Sequence, residues 1–278
     1  MKKFFIIPNV EKPEAMAFSG RLRTYIEEQG GEAAVAGNRD FDGERFVSVS
    51  EVPAGTEGII TLGGDGTIIQ AARDTDELML PVLGVNMGTL GFLAETDSRR
   101  AFDAVNRLFR DEYMVEERMM IRGKVIRGGE VICENASLND VVLRTAGLST
   151  VEFDFCVNGE LIKTYHGDGM ILCTPTGSTA YNLSAGGPIV MPSASMILAT
   201  PLNPHTMLQR SIVLPDDASV SLRISGTRTG EVLVSFDGTV YPGLACGDEI
   251  QVRKDEKKVR LLKLEKDSFL EVLRNKLE

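Results

Sequence analysis

The chain has 278 residues, 43% hydrophobic and 25% charged, with a formal net charge of −10. That length and apolar content suffice for one large or two modest domains with a real core. The acidic balance argues against broad nucleic-acid binding, which leaves a basic footprint, but not against an anionic small molecule held by backbone N–H groups and a few local cations.

The opening MKKFFIIPN imitates the start of a signal peptide, but its apolar run is short and ends in Pro8-Asn9, so a first strand over Lys3–Ile7 is expected. In Glu14–Gln29, Ala15, Phe18, Leu22 and Ile26 fall on one helical face, and Gly30-Gly31 stops the helix. EAAVA (Glu32–Ala36) reads as a second strand, followed by a polar loop. Gly58–Leu62 is predicted as a strand, Ile68–Asp74 as a helix and Pro81–Asn86 as a further strand, with Ser98 capping a helix that reaches about Arg110. Short apolar strands alternating with helices predict a parallel, layered α/β half.

The pattern changes near Glu112. Strand-like runs from Met119 to Arg144 break at Gly128-Gly129. Val151, Phe153, Phe155 and Val157 alternate before Asn158-Gly159, a strong short-range hairpin signal. Further strands are expected at Ser219–Ile224, Glu231–Phe236 and Glu249–Arg253, making this half mostly antiparallel β. Lys266–Leu277 reads as a closing amphipathic helix that packs back on the first half. No apolar stretch approaches the roughly 20 residues of a membrane span. Cys133, Cys156, Cys173 and Cys246 lie far apart without a CxxC pair, so reduced thiols in a cytoplasmic protein are expected, with no zinc pattern.

The residues with chemical content are concentrated in glycine-rich segments. In GIITLGGDGTIIQAA (Gly58–Ala72), Gly63, Gly64 and Gly66 stand between a strand and a helix, where glycine permits close phosphate approach and positive φ. A carboxylate beside phosphates needs a task, so Asp65 either holds Mg²⁺ or accepts a proton from an attacking hydroxyl; the alternative is a plain Asp-Gly turn. This is neither a Walker A loop nor GxGxxG. NMGTLGFLAE (Asn86–Glu95) follows a strand and alone reads as a loop. GDGMILCTPTGSTAYNLSAGGPIV (Gly167–Val190) offers Asp168, then Thr174, Thr176, Ser178, Thr179 and Tyr181, more hydroxyls than helix capping needs, which favours a ligand-lining loop. Asn139-Asp140 can bond a ribose edge or a base, or simply make an Asx turn. His166 and His205 are the only histidines, and a lone histidine is more often a satisfied structural group.

Taken in order, GGDGT (Gly63–Thr67), NMGTLGFLAE, Asn139-Asp140, the Gly167–Ile189 segment, TPLNPHTMLQRSIVLP and FDGTVYPG resemble the NAD kinase family over nearly the whole chain. GGDGT alone is shared with lipid kinases and phosphofructokinases; TPTGSTAY with its Gly-Asp-Gly prefix is the specific part. The resemblance implies an N-terminal Rossmann-like α/β domain (1–111 plus 265–278) and a β-rich NAD-binding domain (112–264), with the site in the cleft between them. It implies transfer of the ATP γ-phosphate to the 2′-hydroxyl of the adenosine ribose of NAD, with Mg²⁺ or another divalent cation. Asp65 is then the proposed base, its contribution largely positional, and Gly63, Gly64, Gly66 and Thr67 cradle phosphates. Asn139 and Asp140 are expected on the NAD ribose and adenine. Thr179, Ala180, Tyr181 and Ser184 are expected to line the dinucleotide pocket, with His166 touching the ligand. Asp168 matches a position that reaches NAD on a neighbouring subunit, implying a homodimer or homotetramer. No metal ligands are assigned.

Three positions depart from the family pattern: Asp140 where Glu is frequent, Thr239 where many relatives carry Gln, and Met191 where His is common. The competing expectations are a lipid or sugar-phosphate kinase of the same superfamily, and a catalytically idle NAD-binding sensor.

Overall fold

The structure is a computed structural model that describes residues 1–37, 47–88, 91–206, 210–227, 231–265 and 268–277. Thr89 and Leu90 of the second glycine-rich segment, residues 207–209 of TPLNPHTMLQR, part of the polar loop before Val47, and Lys266 of the closing helix therefore lie outside the described residues. The chain divides into two compact units, Met1–Arg118 with Lys258–Glu278, and Met119–Lys257.

The first unit begins β1 (Lys3–Pro8), α1 (Pro13–Glu28), β2 (Glu32–Val35), β3 (Gly58–Gly63), α2 (Asp65–Asp74), β4 (Val82–Asn86), β5 (Thr96–Asp97) and α3 (Ala101–Phe109). Pro13 in the first turn of α1 has no N–H to leave unpaired there, and Ala15, Phe18, Leu22 and Ile26 are buried as their spacing predicts. They pack with Phe4, Ile6, Ile60, Leu62, Leu83 and Val85 of the strands and Ala104, Val105 and Leu108 of α3. The parallel sheet runs β2–β1–β3–β4. The chain thus steps from β1 to one side and from β3 to the other, and the carboxyl ends of β1 and β3 flank the point of reversal. In open α/β sheets such a point is where ligands bind.

Helices α2 and α3 start elsewhere than expected. Ser98 does not cap α3. Asp97 Oδ1 instead accepts the N–H groups of Arg99 and Arg100 at 2.9 and 3.1 Å, an Asx turn that delays the helix to Ala101. Helix α2 starts at Asp65 rather than Ile68, so Asp65 belongs to a helical first turn, where the macrodipole favours a carboxylate. Gly84 explains how closely α2 seats on the sheet, because a Cβ there would stand 2.4 Å from Ile68 Cδ1.

The chain continues through β6 (Met114–Arg127), β7 (Glu130–Ser137), β8 (Asp140–Thr145), β9 (Val151–Val157), β10 (Glu160–Gly167), β11 (Gly169–Cys173), α4 (Tyr181–Ser184), β12 (Met196–Leu202), β13 (Ile212–Pro215), β14 (Val220–Thr227), β15 (Val232–Phe236), β16 (Thr239–Leu244), β17 (Glu249–Lys263) and α5 (Ser268–Leu277). The β9–β10 hairpin turns at Asn158-Gly159, with φ of 51° and 83°. The β6–β7 hairpin turns at Gly128-Gly129, with φ of 58° and 90°. Both are left-handed pairs that match the twist of the flanking strands.

Among the described residues of the second unit, one antiparallel layer has the order β13–β12–β11–β8–β15–β16, and β10–β9–β14–β17 belong to another. Alternate residues of both layers form one core: Val151, Phe153 and Phe155 of β9, Leu222 of β14, Val141 and Leu143 of β8, Leu172 of β11, Val234 and Phe236 of β15. Each such side chain contributes about 1.5–3 kcal/mol of burial free energy.

The end of β17 returns to the first unit, where Leu261 pairs in parallel with Val82. Glu95 secures this return: its carboxylate meets Lys263 Nζ at 2.5 Å and accepts the N–H groups of Leu264 and Glu265 at 2.8 and 3.0 Å. Helix α5 packs Phe269 against Phe92, ring centroids 5.8 Å apart. Among the described residues no helix is long and apolar enough to cross a membrane.

Candidate active site

Gly63–Thr67 lies at the carboxyl end of β3, at the reversal point of the parallel sheet. Asn9, just past the end of β1, donates its N–H to Leu62 O at 2.8 Å and its side-chain amide to Thr67 Oγ1 at 3.2 Å, tying the two strand ends together. Gly63, Gly64 and Gly66 do not have positive φ, so the expectation that these glycines supply left-handed backbone is corrected. Their lack of side chain matters in two other ways. A Cβ on Gly63 would stand 2.1 Å from Thr67 Oγ1, whereas Gly64 and Gly66 face open space at the start of α2. The first turn of a helix has N–H groups without intrahelical partners, a ready anion site.

The Asp65 carboxylate is half-buried and accepts two backbone bonds from the second glycine-rich segment, from Phe92 N–H at 2.7 Å and Leu93 N–H at 3.1 Å. A Cβ on Gly91 would stand 2.0 Å from Asp65 Oδ1, so the backbone of Gly91, Phe92 and Leu93 is shaped around this carboxylate. An ionised carboxylate has about four acceptor positions, and two bonds leave room for a hydroxyl.

The second unit carries a cavity of about 590 Å³ on the outer face of its β8–β15–β16 sheet. Asn139, Asp140, Val142 and Arg144 form one wall, Ala180 and Tyr181 another, and Leu233, Ser235, Asp237, Gly238 and Val240 a third. Asp140, Val142 and Arg144 alternate along β8, while Val141 and Leu143 face the core. The TPTGST segment, with a 3₁₀ turn at Thr176–Thr179, wraps the Asn139 backbone. Thr174 N–H donates to Asn139 O at 2.9 Å and Thr174 Oγ1 to Leu138 O at 2.5 Å. A Cβ on Gly177 would sit 2.2 Å from Asn139 O. The Gly-Asp-Gly prefix makes the crossing from β10 to β11: Gly169 has φ of 152°, and a Cβ there would stand 1.9 Å from Leu143 O.

Burial and the neighbouring Asp237 carboxylate push the Asp140 carboxyl from 3.8 up to about 7. Cys173, paired with Asp140 across β11 and β8, is buried, and its thiol is raised well above 9.0 by burial and by Asp140, which leaves it inert.

Of the dinucleotide residues expected from sequence, Asn139, Asp140, Ala180 and Tyr181 come together at the cavity. The others are not among its lining. Thr179 Oγ1 donates to Thr176 O at 3.3 Å, and Ser184 is exposed on α4. His166 Nε2 lies 2.9 Å from Thr150 Oγ1, its ring edge-on to His205 at 4.7 Å. Asp168 accepts from Asn203 Nδ2 at 2.7 Å. Gly63, Gly64, Asp65, Gly66 and Thr67 belong to the first unit. Met191 is exposed, and Thr239 begins β16 outside the cavity lining. Val142, Arg144, Leu233 and Ser235 escaped the sequence reading, although the period-2 alternation from Asp140 marks the first two. Asn9 escaped it as well.

Residues 16–113 match the family described as ATP-NAD kinase N-terminal domain, and residues 138–264 match ATP-NAD kinase C-terminal domain. The chain is 41% identical over 282 residues to the NAD kinase of Lachnoclostridium phytofermentans, covering 99% of each chain. It is 38% identical over 280 residues to the NAD kinase of Geobacter metallireducens, covering 100% of this chain and 99% of the relative. Yeast NADH kinase, crystallised with NADH, has the same fold at a TM-score of 0.88 and 22% identity, covering 100% of this chain and 87% of that one. An NAD kinase from Archaeoglobus fulgidus in complex with ATP superposes with a TM-score of 0.77 at 19% identity, covering 99% and 98%.

Proposed function

This chain belongs to the NAD kinase family, and on that premise we propose how its residues divide the reaction among themselves. The protein phosphorylates NAD with ATP as donor. Asn139 and Asp140 hold the adenosine part of NAD, Tyr181 offers an aromatic face to it, and Gly64 and Gly66 let the phosphates approach the start of α2. The 2′-hydroxyl oxygen of the adenosine ribose attacks the γ-phosphorus, the bond from that phosphorus to the ADP oxygen breaks, and the hydroxyl proton passes to Asp65. The single observation that carries the NAD assignment is the cavity itself. It gathers Asn139, Asp140, Ala180 and Tyr181 from distant segments onto one sheet face.

Among the described residues no group of three His, Cys, Asp or Glu side chains is placed to hold a resident ion. Mg²⁺, or another divalent cation, brought with ATP would offset phosphoryl charge. Asp65 contributes position and a proton acceptor, since proton loss lags in a loose phosphoryl transition state. The same reading makes the enzyme cytoplasmic and homo-oligomeric, with Asp168 serving a neighbouring protomer.

The test is direct: the purified protein with NAD, ATP and Mg²⁺ forms NADP, detected with an NADP-specific dehydrogenase. Folded protein that binds NAD without turnover would make it a sensor, and absence of NAD binding would favour a lipid or sugar-phosphate kinase.

Two substitutions check the parts. Gly64 has φ of −123° and nothing within 4 Å of an added Cβ, so Gly64→Ala should cost about 1 kcal/mol or less at this N-cap. The methyl group would occupy phosphate space, so the KM for ATP should rise several-fold; an unchanged KM removes the cradle assignment.

Ionised Asp140 is the stronger acceptor for a ribose hydroxyl, so NAD affinity should rise as pH passes through about 7. Stability has the opposite sign. Below pH 3.8 both states hold the proton, and between 3.8 and about 7 the native state keeps one that the unfolded state has released. Folding stability from this group therefore falls as pH rises through that window. Asp140→Asn should melt higher than wild type at pH 8 yet bind NAD more weakly; denaturation curves and calorimetry at pH 6 and pH 8 decide it.

A further inference from the structure

Asp237 opens the two-residue turn between β15 and β16, with φ of 47°, and Gly238 follows with 87°. An Asp-Gly pair tolerates this left-handed geometry. The turn aims the Asp237 carboxylate at the junction of β7 and β8, where it accepts three successive backbone N–H groups. Leu138 donates to Oδ2 at 2.7 Å, and Asn139 and Asp140 donate to Oδ1 at 2.8 and 3.0 Å. The Asp237 N–H donates back to Asp140 O at 3.0 Å. Converging backbone N–H groups form an anion nest, and here the protein's own side chain fills it.

The other side of the same backbone is closed by Thr174 and Gly177, as described above. The residue pair assigned to NAD therefore has little freedom left. Asp237 also lines the same cavity as Asp140, and after burial its negative charge is the further cause that raises the Asp140 carboxyl. On the elements around Asp140, the charged and titratable neighbours are Arg144 on its own strand, Cys173 on β11, Tyr181 on α4 and Asp237 in the turn. Arg144 is the one cation among the described lining residues, four positions along β8 from Asp140. Cys173 is neutral, so Asp237 is the near negative charge.

We propose that Asp237 is a positioning residue for NAD, holding the Asn139–Asp140 backbone in place and adding a second negative charge where Asp140 meets the substrate. The proposal rests on the reading that Asp140 contacts NAD. It also gives FDG a role apart from ligand contact: the aspartate is an internal anion, and the glycine lets the turn close.

The experiment separates the proposal from that reading. Carboxyl ¹³C titration of Asp140 in the ligand-free enzyme, assigned by the signal lost in Asp140→Asn, is compared between wild type and Asp237→Asn. NAD binding is measured by calorimetry from pH 5.5 to 8.5 in parallel. Asn keeps an acceptor for the nest but loses the charge, so the Asp140 midpoint and the rise in NAD affinity should both move down by about one pH unit. Asp237→Ala should weaken NAD binding at every pH, with partial recovery in Asp237→Asn. An Asp140 midpoint unmoved by Asp237→Asn overturns the proposal. A midpoint that moves while NAD affinity ignores it overturns the assignment of Asp140 to NAD, and with it the role of Asp237 in binding. Should Asp237→Asn not fold, Asp140→Asn carries the test: pH-dependent NAD binding that persists in that variant overturns the proposal as well.

Discussion

Asp65→Asn is expected to lower kcat by roughly 10²–10⁴-fold, the range for removing a positioned proton acceptor, while the Kd for NAD changes little. The substitution preserves size and one acceptor oxygen. It also turns an NH₂ group toward one of two backbone donors, because Asp65 accepts from both Phe92 and Leu93. One of those bonds is lost, at about 1.5–3 kcal/mol for a charged acceptor, so a fall of several degrees in Tm should accompany the kinetic loss. This separates two roles that the geometry allows. Full turnover in the folded variant would leave Asp65 as a tether for the glycine-rich segment. Loss of turnover together with loss of NAD binding would mean that the tether, and not proton transfer, is what the enzyme needs. A kinetic fall with binding retained supports the base.

The second large effect is expected at Gly177→Ala. The added Cβ would meet Asn139 O at 2.2 Å, its carbonyl carbon at 2.6 Å and its Cα at 2.8 Å. These are backbone atoms, held by Thr174 on one side and Asp237 on the other, so neither partner can step aside without breaking hydrogen bonds. Overpacking against a rigid partner sits at the upper end of about 1–3 kcal/mol or beyond. Tm should fall by about 2–4 °C per kcal/mol in a chain of this size, and the KM for NAD should rise because the displaced residue is Asn139. Thermal melts and NAD titration check both halves. A wild-type melt would show that the TPTGST segment does not press on Asn139 as described.

The local signals in the sequence were accurate where a single residue's conformation decides the structure. Asn158-Gly159 and Gly128-Gly129 demand left-handed backbone, and both became hairpins. The apolar face of α1 was equally legible, because helical spacing and burial coincide there. The start of α2 was missed since Asp65 and Gly66 are poor helix residues that the anion-favouring first turn tolerates. Strand β17 extends ten residues beyond the expected Arg253, through RKDEKK, whose charges suppress any strand signal; pairing overrides propensity.

The candidate site was legible in its motifs and illegible in its walls. Leu233 and Ser235 reach the cavity because β15 pairs with β8, Leu233 opposite Arg144 and Ser235 opposite Val142, and no local pattern encodes that register. The glycines were legible as glycines but not in their reasons. Gly177 and Gly169 yield space to neighbouring backbone, and Gly64 and Gly66 leave it open. Asp237 was visible in FDG, yet its role depends on three donors about 97 to 99 positions away in the chain.

The composition of the first unit from residues 1–118 and 258–278 sets an order on synthesis. A ribosome makes the whole β-rich unit before it makes the strand end that pairs at Val82 or the segment that Glu95 grips. During that interval β4 exposes the backbone that Leu261 will later pair, and Glu95 waits without Lys263. Unpaired strand edges of this kind recruit other chains. The β-rich unit, being contiguous, is under no such delay, so the nascent chain is expected to form the cavity at Asn139 and Asp140 before the first unit is complete.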